Sequence, residues 1–425
     1  MRGTGCPVTG GSPAGRPLAG RVVLDLTTAL AGPYATLLLA GLGARVIKIE
    51  NPATGGDSSR GNAPYLGRDG LSLARRHDDD LSVSHLLRGR GKESVTLDLK
   101  HPGARPVFAD LVRRADILVE NFSPGVTGRL GIGFEDVHAL NARLVYTSIS
   151  GFGGQGGGPG TGKAMDAIIQ ALSGVMTTAG AQGDGPVRFG LPIGDLLAPL
   201  YAVIGTLTAV IQADATGVGQ HVDVSMLGAL TSLVACEPFD VYEAVGLEQR
   251  TGATVPRLAP FGVFEAEDGW VALCAPTDRF AEGVFAAMGV PDEQWRRRFG
   301  DRDSRVARAG ELHGLIADWA RRRPLAEVVE RLSGHGVPAA EVRDPVQAVR
   351  DPTVRAREEV VPVRHPRYPD AVELSGTGLP IRFSDADAGL REPPPYLGEH
   401  NLTVLRDLLG YDDVRIADLT GDAVI

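Results

Sequence analysis

The sequence contains little cysteine, and its three cysteines lie far apart. Cys6, Cys236 and Cys274 form neither a metal-binding spacing nor a set of candidate disulfide partners. The histidines show no H-x-x-x-H spacing either. We therefore expect a reducing, cytoplasmic location and no metal cofactor.

An excess of positive charge and an apolar leader are also absent. The 425 residues include 43 Lys and Arg against 52 Asp and Glu, a formal net charge of −9. This balance argues against nucleic acid or an anionic membrane as a partner, but a local basic cluster could still bind a phosphorylated cofactor. Residues 1–17 are rich in Gly and Pro and lack the apolar run of a signal peptide, so we expect a mobile tail there.

Two uncharged stretches, 26–44 and 196–213, approach the length of a membrane span of ~20 residues. Both contain internal Gly and Pro, and neither has flanking residues arranged as membrane anchors. The pattern favours buried helices, and we expect no membrane association.

Strand-like and helix-like segments alternate from Arg21 onward, as they do around a parallel sheet. The predicted strands are R-V-V-L-D-L-T, A-R-V-I-K-I-E, S-V-T-L-D-L, D-I-L-V-E-N-F and R-L-V-Y-T-S-I-S. Between them we predict a helix opened near Pro33, a polar loop over Asn51–Asp80, and helices over 102–114 and 134–140. The first half is thus predicted to be a Rossmann-like α/β domain.

The composition changes after Glu237. The segment 262–273 predicts a β-hairpin with its turn at Asp268-Gly269, and helices rich in Arg and Glu follow. Strand-like V-V-P-V and L-P-I-R-F return after 358, before a capped helix headed by His400 and Asn401. The predicted division is a tail over 1–17, a large domain over 18–225 completed by 358–425, a linker over 226–255, and a smaller α+β domain over 256–357.

Asp195 is the most informative residue, because no other formal charge follows it until Asp214. Gly194 precedes it and apolar residues follow at helical spacing, so we expect Asp195 to be the N-cap or first-turn residue of an apolar helix. The amide N–H groups and the positive helix end are expected to stabilise its ionised form. Such a carboxylate can attack a carbonyl or thioester carbon, although a residue that only caps a core helix would give the same pattern.

A glycine-rich segment over 151–162 follows the fifth predicted strand. It contains no G-x-x-x-x-G-K-[ST] motif and does not open a helix in the dinucleotide-binding pattern. A spacer or a mobile lid is the expected role.

Ordered motifs from Pro17 to Ile425 resemble those of the class III CoA-transferase family, also called the CaiB/BaiF family, which includes formyl-CoA:oxalate CoA-transferases. The matching motifs are L-x-G-x-x-V-L-D-L-T followed by A-G-P, G-A-R-V-I-K-I-E, G-K-E-S-V-T-L-D-L-K, D-I-L-V-E-N-F-S-P-G-V, G-R-L-G-I-G, Y-T-S-I-S-G-F-G, V-P-A-A-E-V and P-P-Y-L-G-E-H-N. The resemblance implies an interlaced homodimer of ring-like subunits, each with a Rossmann-like large domain and a smaller domain.

The resemblance also implies an activity and its nucleophile. CoA would pass from an acyl-CoA donor to a carboxylic acid acceptor through an aspartyl covalent intermediate, and the family's G-D motif falls on Asp195. The implied residues of the CoA site are Leu30, Ala31, Leu97 to Lys100, Asn121, Phe122, Arg129, Lys163 and Met165. Without the motifs, the basic residues among them are typical of exposed surface charges, and Phe122 is typical of core packing.

Departures from the family pattern bear on the substrate. Leu30 stands where formyl-CoA:oxalate transferases typically carry a glutamine, and Asn51 stands where they carry an arginine, so we expect an acid larger or less polar than oxalate.

Met165 replaces the histidine of the α-methylacyl-CoA racemases, the alternative enzyme class, and cannot move a proton. Asp166 is either a carboxylate that faces the substrate or supports the residues that do, or a helix cap. A non-catalytic CoA-binding role is a third alternative, against which the presence of Asp195 counts.

Overall fold

A computed structural model describes residues 15–154, 157–158 and 164–425. Cys6 and Lys163 lie outside the described residues, as do residues 1–14 of the predicted tail and half of the predicted glycine-rich lid or spacer. The described chain forms two compact units. The first takes its residues from Met1–Ser173, Gly190–Leu233 and Val349–Ile425, and the second takes them from Gly174–Phe189 and Val234–Ala348.

The strands are, in chain order, β1 Val22–Asp25, β2 Arg45–Glu50, β3 Tyr65–Gly67, β4 Gly70–Ser72, β5 Leu81–Ser82, β6 Lys92–Thr96, β7 Ile117–Glu120, β8 Val145–Ser150, β9 His221–Ser225, β10 Phe261–Ala266, β11 Gly269–Cys274, β12 Ala339–Glu341, β13 Val360–Val363 and β14 Leu374–Thr377.

The helices are, in chain order, α1 Ala31–Gly41, α2 Val83–Arg88, α3 Ala104–Arg114, α4 Val126–Leu130, α5 Phe134–Leu140, α6 Asp166–Leu172, α7 Ile193–Thr216, α8 Met226–Val234, α9 Phe239–Ala244, α10 Asp278–Met288, α11 Asp292–Phe299, α12 Arg302–Ala307, α13 Ala309–Ala320, α14 Leu325–Gly334, α15 Pro345–Val349, α16 Pro352–Ala356, α17 Asn401–Thr403 and α18 Asp413–Gly421.

A six-stranded parallel sheet organises the first unit, in the order β6-β2-β1-β7-β8-β9. The chain builds outward from β1 to β6, then returns beside β1 with β7 and builds outward on the other side. The carboxyl ends of β1 and β7 therefore flank a topological switch point, where open α/β sheets bind their ligands. The predicted α/β class with a parallel sheet is confirmed.

The second unit contains the predicted hairpin. Strands β10 and β11 pair antiparallel, with Ala266 opposite Gly269, and β12 adds a third strand beside β11. The core of this unit is formed by buried apolar side chains from the hairpin and from helices α10, α11, α13 and α14, including Phe285, Trp295 and Leu312.

Two predicted elements are wrong. The segment L-P-I-R-F is not a strand, and β13, the predicted V-V-P-V, pairs instead with β14. The supposed polar loop Asn51–Asp80 contributes two strands, β3 and β4, to a small antiparallel sheet with β5.

The helix predicted after 358 begins where expected, with His400 at its N-cap position and Asn401 as its first residue. It is not capped by a side chain, however. His400 Nδ1 accepts a hydrogen bond from Ser94 N at 3.2 Å, and Asn401 Oδ1 accepts one from Thr96 N at 2.8 Å. Both therefore pair with β6, which forms one edge of the parallel sheet, so that the C-terminal segment covers this edge.

One described helix, α7, is long and apolar enough to cross a membrane by length and composition alone. Of the window that meets this criterion, 44% is buried inside the protein. The expected buried helix is therefore only partly buried in the isolated chain.

Candidate active site

Asp195 is the third residue of α7, which follows Pro192 at the N-cap position. This confirms the predicted first-turn position and excludes the N-cap alternative. The side chain is partly exposed. Its carboxylate accepts no hydrogen bond from the residues that the structure describes, so its oxygens are available to a substrate.

Asp166 holds the start of this helix. Its Oδ1 accepts a hydrogen bond from Gly194 N at 2.8 Å, and its Oδ2 accepts one from Gln170 Nε2 at 2.7 Å. A Cβ atom at Gly194 would lie 3.2 Å from Asp166 Oδ1, so glycine permits the close approach of the two helices. Asp166 thus stands in the first turn of α6 and binds the turn that carries Asp195.

The electrostatic environment of Asp195 differs from the expectation. Burial, together with the neighbouring charge of Asp166, raises the pKa of Asp195 to about 6, while Arg88 acts in the opposite direction. A helix N-terminus alone would have favoured the anion. The carboxylate is still mostly ionised at neutral pH, but it is more basic than an ordinary aspartate.

Arg88 is a site residue that the sequence reasoning missed. It ends helix α2, is partly buried, and its charge acts on both Asp57 and Asp195. Burial lowers the pKa of Arg88 against the opposing effect of these two carboxylates. Its only sequence signal is a position just before the G-K-E-S motif, which is equally typical of a surface charge.

The turn between β1 and α1 lies at the switch point of the sheet. Leu30 is the N-cap residue of α1, and Ala31 is its first residue. Asn121, which follows β7, accepts a hydrogen bond from Thr28 N at 2.8 Å and donates one to Thr28 O at 2.9 Å. The structure therefore brings two groups of predicted CoA-site residues together. Leu30 and Ala31 follow β1, and Asn121 and Phe122 follow β7.

A buried ion-pair network supports the same turn. Lys48 Nζ lies 2.9 Å from Asp57 Oδ2 and donates to Thr27 O at 2.7 Å. Asp57 Oδ1 in turn accepts from Ala29 N at 3.0 Å. Ala29 has a φ of +69°, a left-handed conformation that costs a non-glycine residue about 1–2 kcal/mol. The surrounding hydrogen bonds hold the turn in this conformation.

The other predicted CoA-site residues have different surroundings. The side chain of Leu97 is buried in the core, so only its main chain could contact a ligand. Lys100 and Arg129 are exposed, Phe122 is partly buried, and the side chain of Met165 is 76% exposed. No hydrogen bond or ion pair joins Asp195 to these residues in the described chain, so their grouping into one site stays a prediction.

Among the described residues, no group of three or more His, Cys, Asp or Glu side chains is placed to hold a metal ion. Cys236 and Cys274 form no disulfide in the part of the chain that the structure describes.

The comparisons with known proteins agree with this arrangement. Residues 18–401 match the profile of CoA-transferase family III. The chain is 36% identical to acetyl-CoA:oxalate CoA-transferase of Acetobacter aceti, over 78% of this chain and 82% of that protein. It is 32% identical to succinyl-CoA–D-citramalate CoA-transferase of Chloroflexus aurantiacus, over 96% and 98% of the two chains.

A solved structure is similar as well. The crystal structure of a CaiB/BaiF family protein from Brucella suis superposes with a TM-score of 0.78 at 30% identity. The match covers 93% of this chain and all of that chain. The family predicted from the sequence motifs is thereby confirmed.

Proposed function

This chain belongs to CoA-transferase family III, and we propose that it transfers CoA from an acyl-CoA to a free carboxylic acid with Asp195 as the nucleophile. The observation that carries the assignment is the environment of this side chain. Asp195 is a partly buried carboxylate of raised pKa whose oxygens accept no hydrogen bond from the described residues. A carboxylate with only a capping role would be bound to the backbone of its own helix.

In the proposed mechanism, an Asp195 oxygen attacks the thioester carbonyl carbon. The carbon–sulfur bond breaks, CoA leaves as the thiolate, and an aspartyl mixed anhydride forms. The thiolate then attacks the aspartyl carbonyl carbon, which releases the donor acid and leaves an aspartyl-CoA thioester. The acceptor carboxylate and the thiolate repeat these two steps in reverse, so that a new acyl-CoA and free Asp195 are produced without net proton transfer.

Asp166 serves this reaction as a positioning residue. Its hydrogen bond to Gly194 N fixes the first turn of α7, and its charge raises the pKa of Asp195. A more basic carboxylate is a better nucleophile once it is ionised.

We place the CoA thioester at the carboxyl edge of the parallel sheet. The turn containing Leu30 and Ala31 and the segment containing Asn121 and Phe122 flank the switch point, which supports this placement. The exposed Lys100 and Arg129 would meet phosphate groups. Lys163 and Met165 complete the proposed set.

We also propose that the chain acts as an interlaced homodimer. Helix α7 exposes large apolar side chains along its length, including Ile204 at 61% and Ile211 at 71%. Apolar surface of this kind is typical of an interface between subunits. A second copy of the chain would bury it.

The activity is tested with acetyl-CoA and succinyl-CoA as donors and a panel of free acids, with CoA exchange followed by mass spectrometry. We expect the wild-type protein to form new acyl-CoA. Asp195→Asn should reduce the turnover at least about 1,000-fold while the protein stays folded, because the amide cannot attack a thioester. The assignment fails if Asp195→Asn retains near-native turnover with deamidation excluded by mass.

The same assay separates transfer from racemisation. In D₂O, a racemase introduces deuterium at Cα of a 2-methylacyl-CoA, because it removes and returns that proton. We expect CoA exchange without this uptake, since the Met165 side chain cannot move a proton.

A further inference from the structure

The guanidinium group of Arg88 forms no hydrogen bond with the described residues. Its Nε atom is buried without a hydrogen bond, and the group forms no ion pair in the described chain. A buried polar group without a partner is costly, and a charged group more so. An arginine in this state is suited to an anionic ligand.

The nearby carboxylate of Asp57 does not fill this role. Its Oδ1 accepts hydrogen bonds from Ala29 N at 3.0 Å and Ser59 N at 2.8 Å, and its Oδ2 is paired with Lys48 at 2.9 Å. Neither oxygen accepts a hydrogen bond from Arg88, and the charge of Asp57 is already compensated by Lys48. The second carboxylate on which the charge of Arg88 acts is that of Asp195.

Because the charge of Arg88 acts on Asp195, the chemistry at Asp195 limits which anionic group Arg88 can bind. If Asp195 attacks the thioester carbon, as the proposed function requires, the atoms around it belong to the acyl group or to the acceptor acid. The phosphates of CoA lie at the opposite end of its pantetheine arm from the thioester carbonyl.

We propose that Arg88 is a specificity-determining residue that binds the second, non-reacting carboxylate of a dicarboxylic acid exchanged at Asp195. The reacting carboxylate of the acid meets the aspartyl group, and the distal carboxylate pairs with the guanidinium. The inference rests on the proposed function. Of the two sequence-based expectations, an acid larger than oxalate or one less polar, it selects the first and names its class.

The test uses acids of matched length that differ in one carboxylate. CoA transfer from acetyl-CoA, and in parallel from succinyl-CoA, is measured to succinate against butyrate and to glutarate against valerate. The proteins are the wild type, Arg88→Met, Arg88→Lys and the control Arg113→Met, which alters an exposed arginine of α3 that pairs with Asp110.

We expect Arg88→Met to lower kcat/KM for each dicarboxylate about 10- to 100-fold more than for its monocarboxylate partner, the loss typical of one charge-assisted pair. Arg88→Lys should recover part of this preference, and Arg113→Met should not change it. Equal losses for both classes would overturn the inference, because Arg88 would then act on Asp195, on CoA or on the reacting carboxylate. Unchanged ratios would overturn it as well.

The two proposals fail differently. If the wild-type protein transfers CoA to no acid, the proposed function is wrong and this inference falls with it. If transfer depends on Asp195 but the ratios do not depend on Arg88, the inference alone is wrong.

Discussion

At the scale of single residues, burial and two charges of opposite sign set the basicity of Asp195. Burial raises the pKa of this carboxylate most, Asp166 raises it further, and Arg88 lowers it. The ionised form is the nucleophile in the proposed mechanism. Activity should therefore rise as the pH increases through about 6 and level off above it.

Asp166→Asn tests this electrostatic coupling. The amide oxygen can still accept the hydrogen bond from Gly194 N, but the negative charge is gone, so the pKa of Asp195 should fall. We expect the midpoint of the acid limb of the kcat/KM profile to move down by roughly half to one pH unit. Arg88→Met should move it up.

The two variants control for each other, because a general loss of structure would not shift the two midpoints in opposite directions. A profile for Asp166→Asn that keeps its midpoint, or moves it upward, would contradict the assigned origin of the shift.

At the scale of elements, the sequence predicted the strands in the middle of the parallel sheet. Strands β1, β2, β7 and β8 are buried and were found, as was the more exposed helix α5 over Phe134–Leu140. Strand β9 was missed because its H-V-D-V-S segment forms an edge of the sheet, is half exposed and contains only two apolar residues. The roles of His400 and Asn401 were misread because their partners, Ser94 and Thr96, lie far away in sequence.

The prediction at the scale of elements concerns helix α7. Its exposed apolar face should be covered by a second copy, so the wild-type protein should have twice the 44.6 kDa mass of the chain in sedimentation or light scattering. Ile204→Glu combined with Ile211→Glu should shift the protein toward the monomer. Val414→Glu, which changes an equally exposed apolar residue of α18, is the matched control. A wild-type protein that stays monomeric at micromolar concentration would contradict the proposed dimer.

At the scale of the whole molecule, the family and the parallel sheet follow from the order of the motifs along the chain. The order of the strands does not, because the same apolar segments are compatible with several arrangements of a parallel sheet. Asp195 was identified from its isolation in an apolar segment. Arg88 was not, because α2 and α7 are far apart in sequence and its charge acts on Asp195 only in the folded first unit.

The central claim is that Asp195 becomes covalently acylated during turnover. Hydroxylamine, added together with acyl-CoA, attacks an activated aspartyl group but not a resting carboxylate. After rapid quenching, peptide mapping should find a hydroxamate at Asp195 that depends on acyl-CoA and is absent from Asp195→Asn. Turnover without any acyl-CoA-dependent modification of Asp195, or with modification of a different residue, would contradict the account.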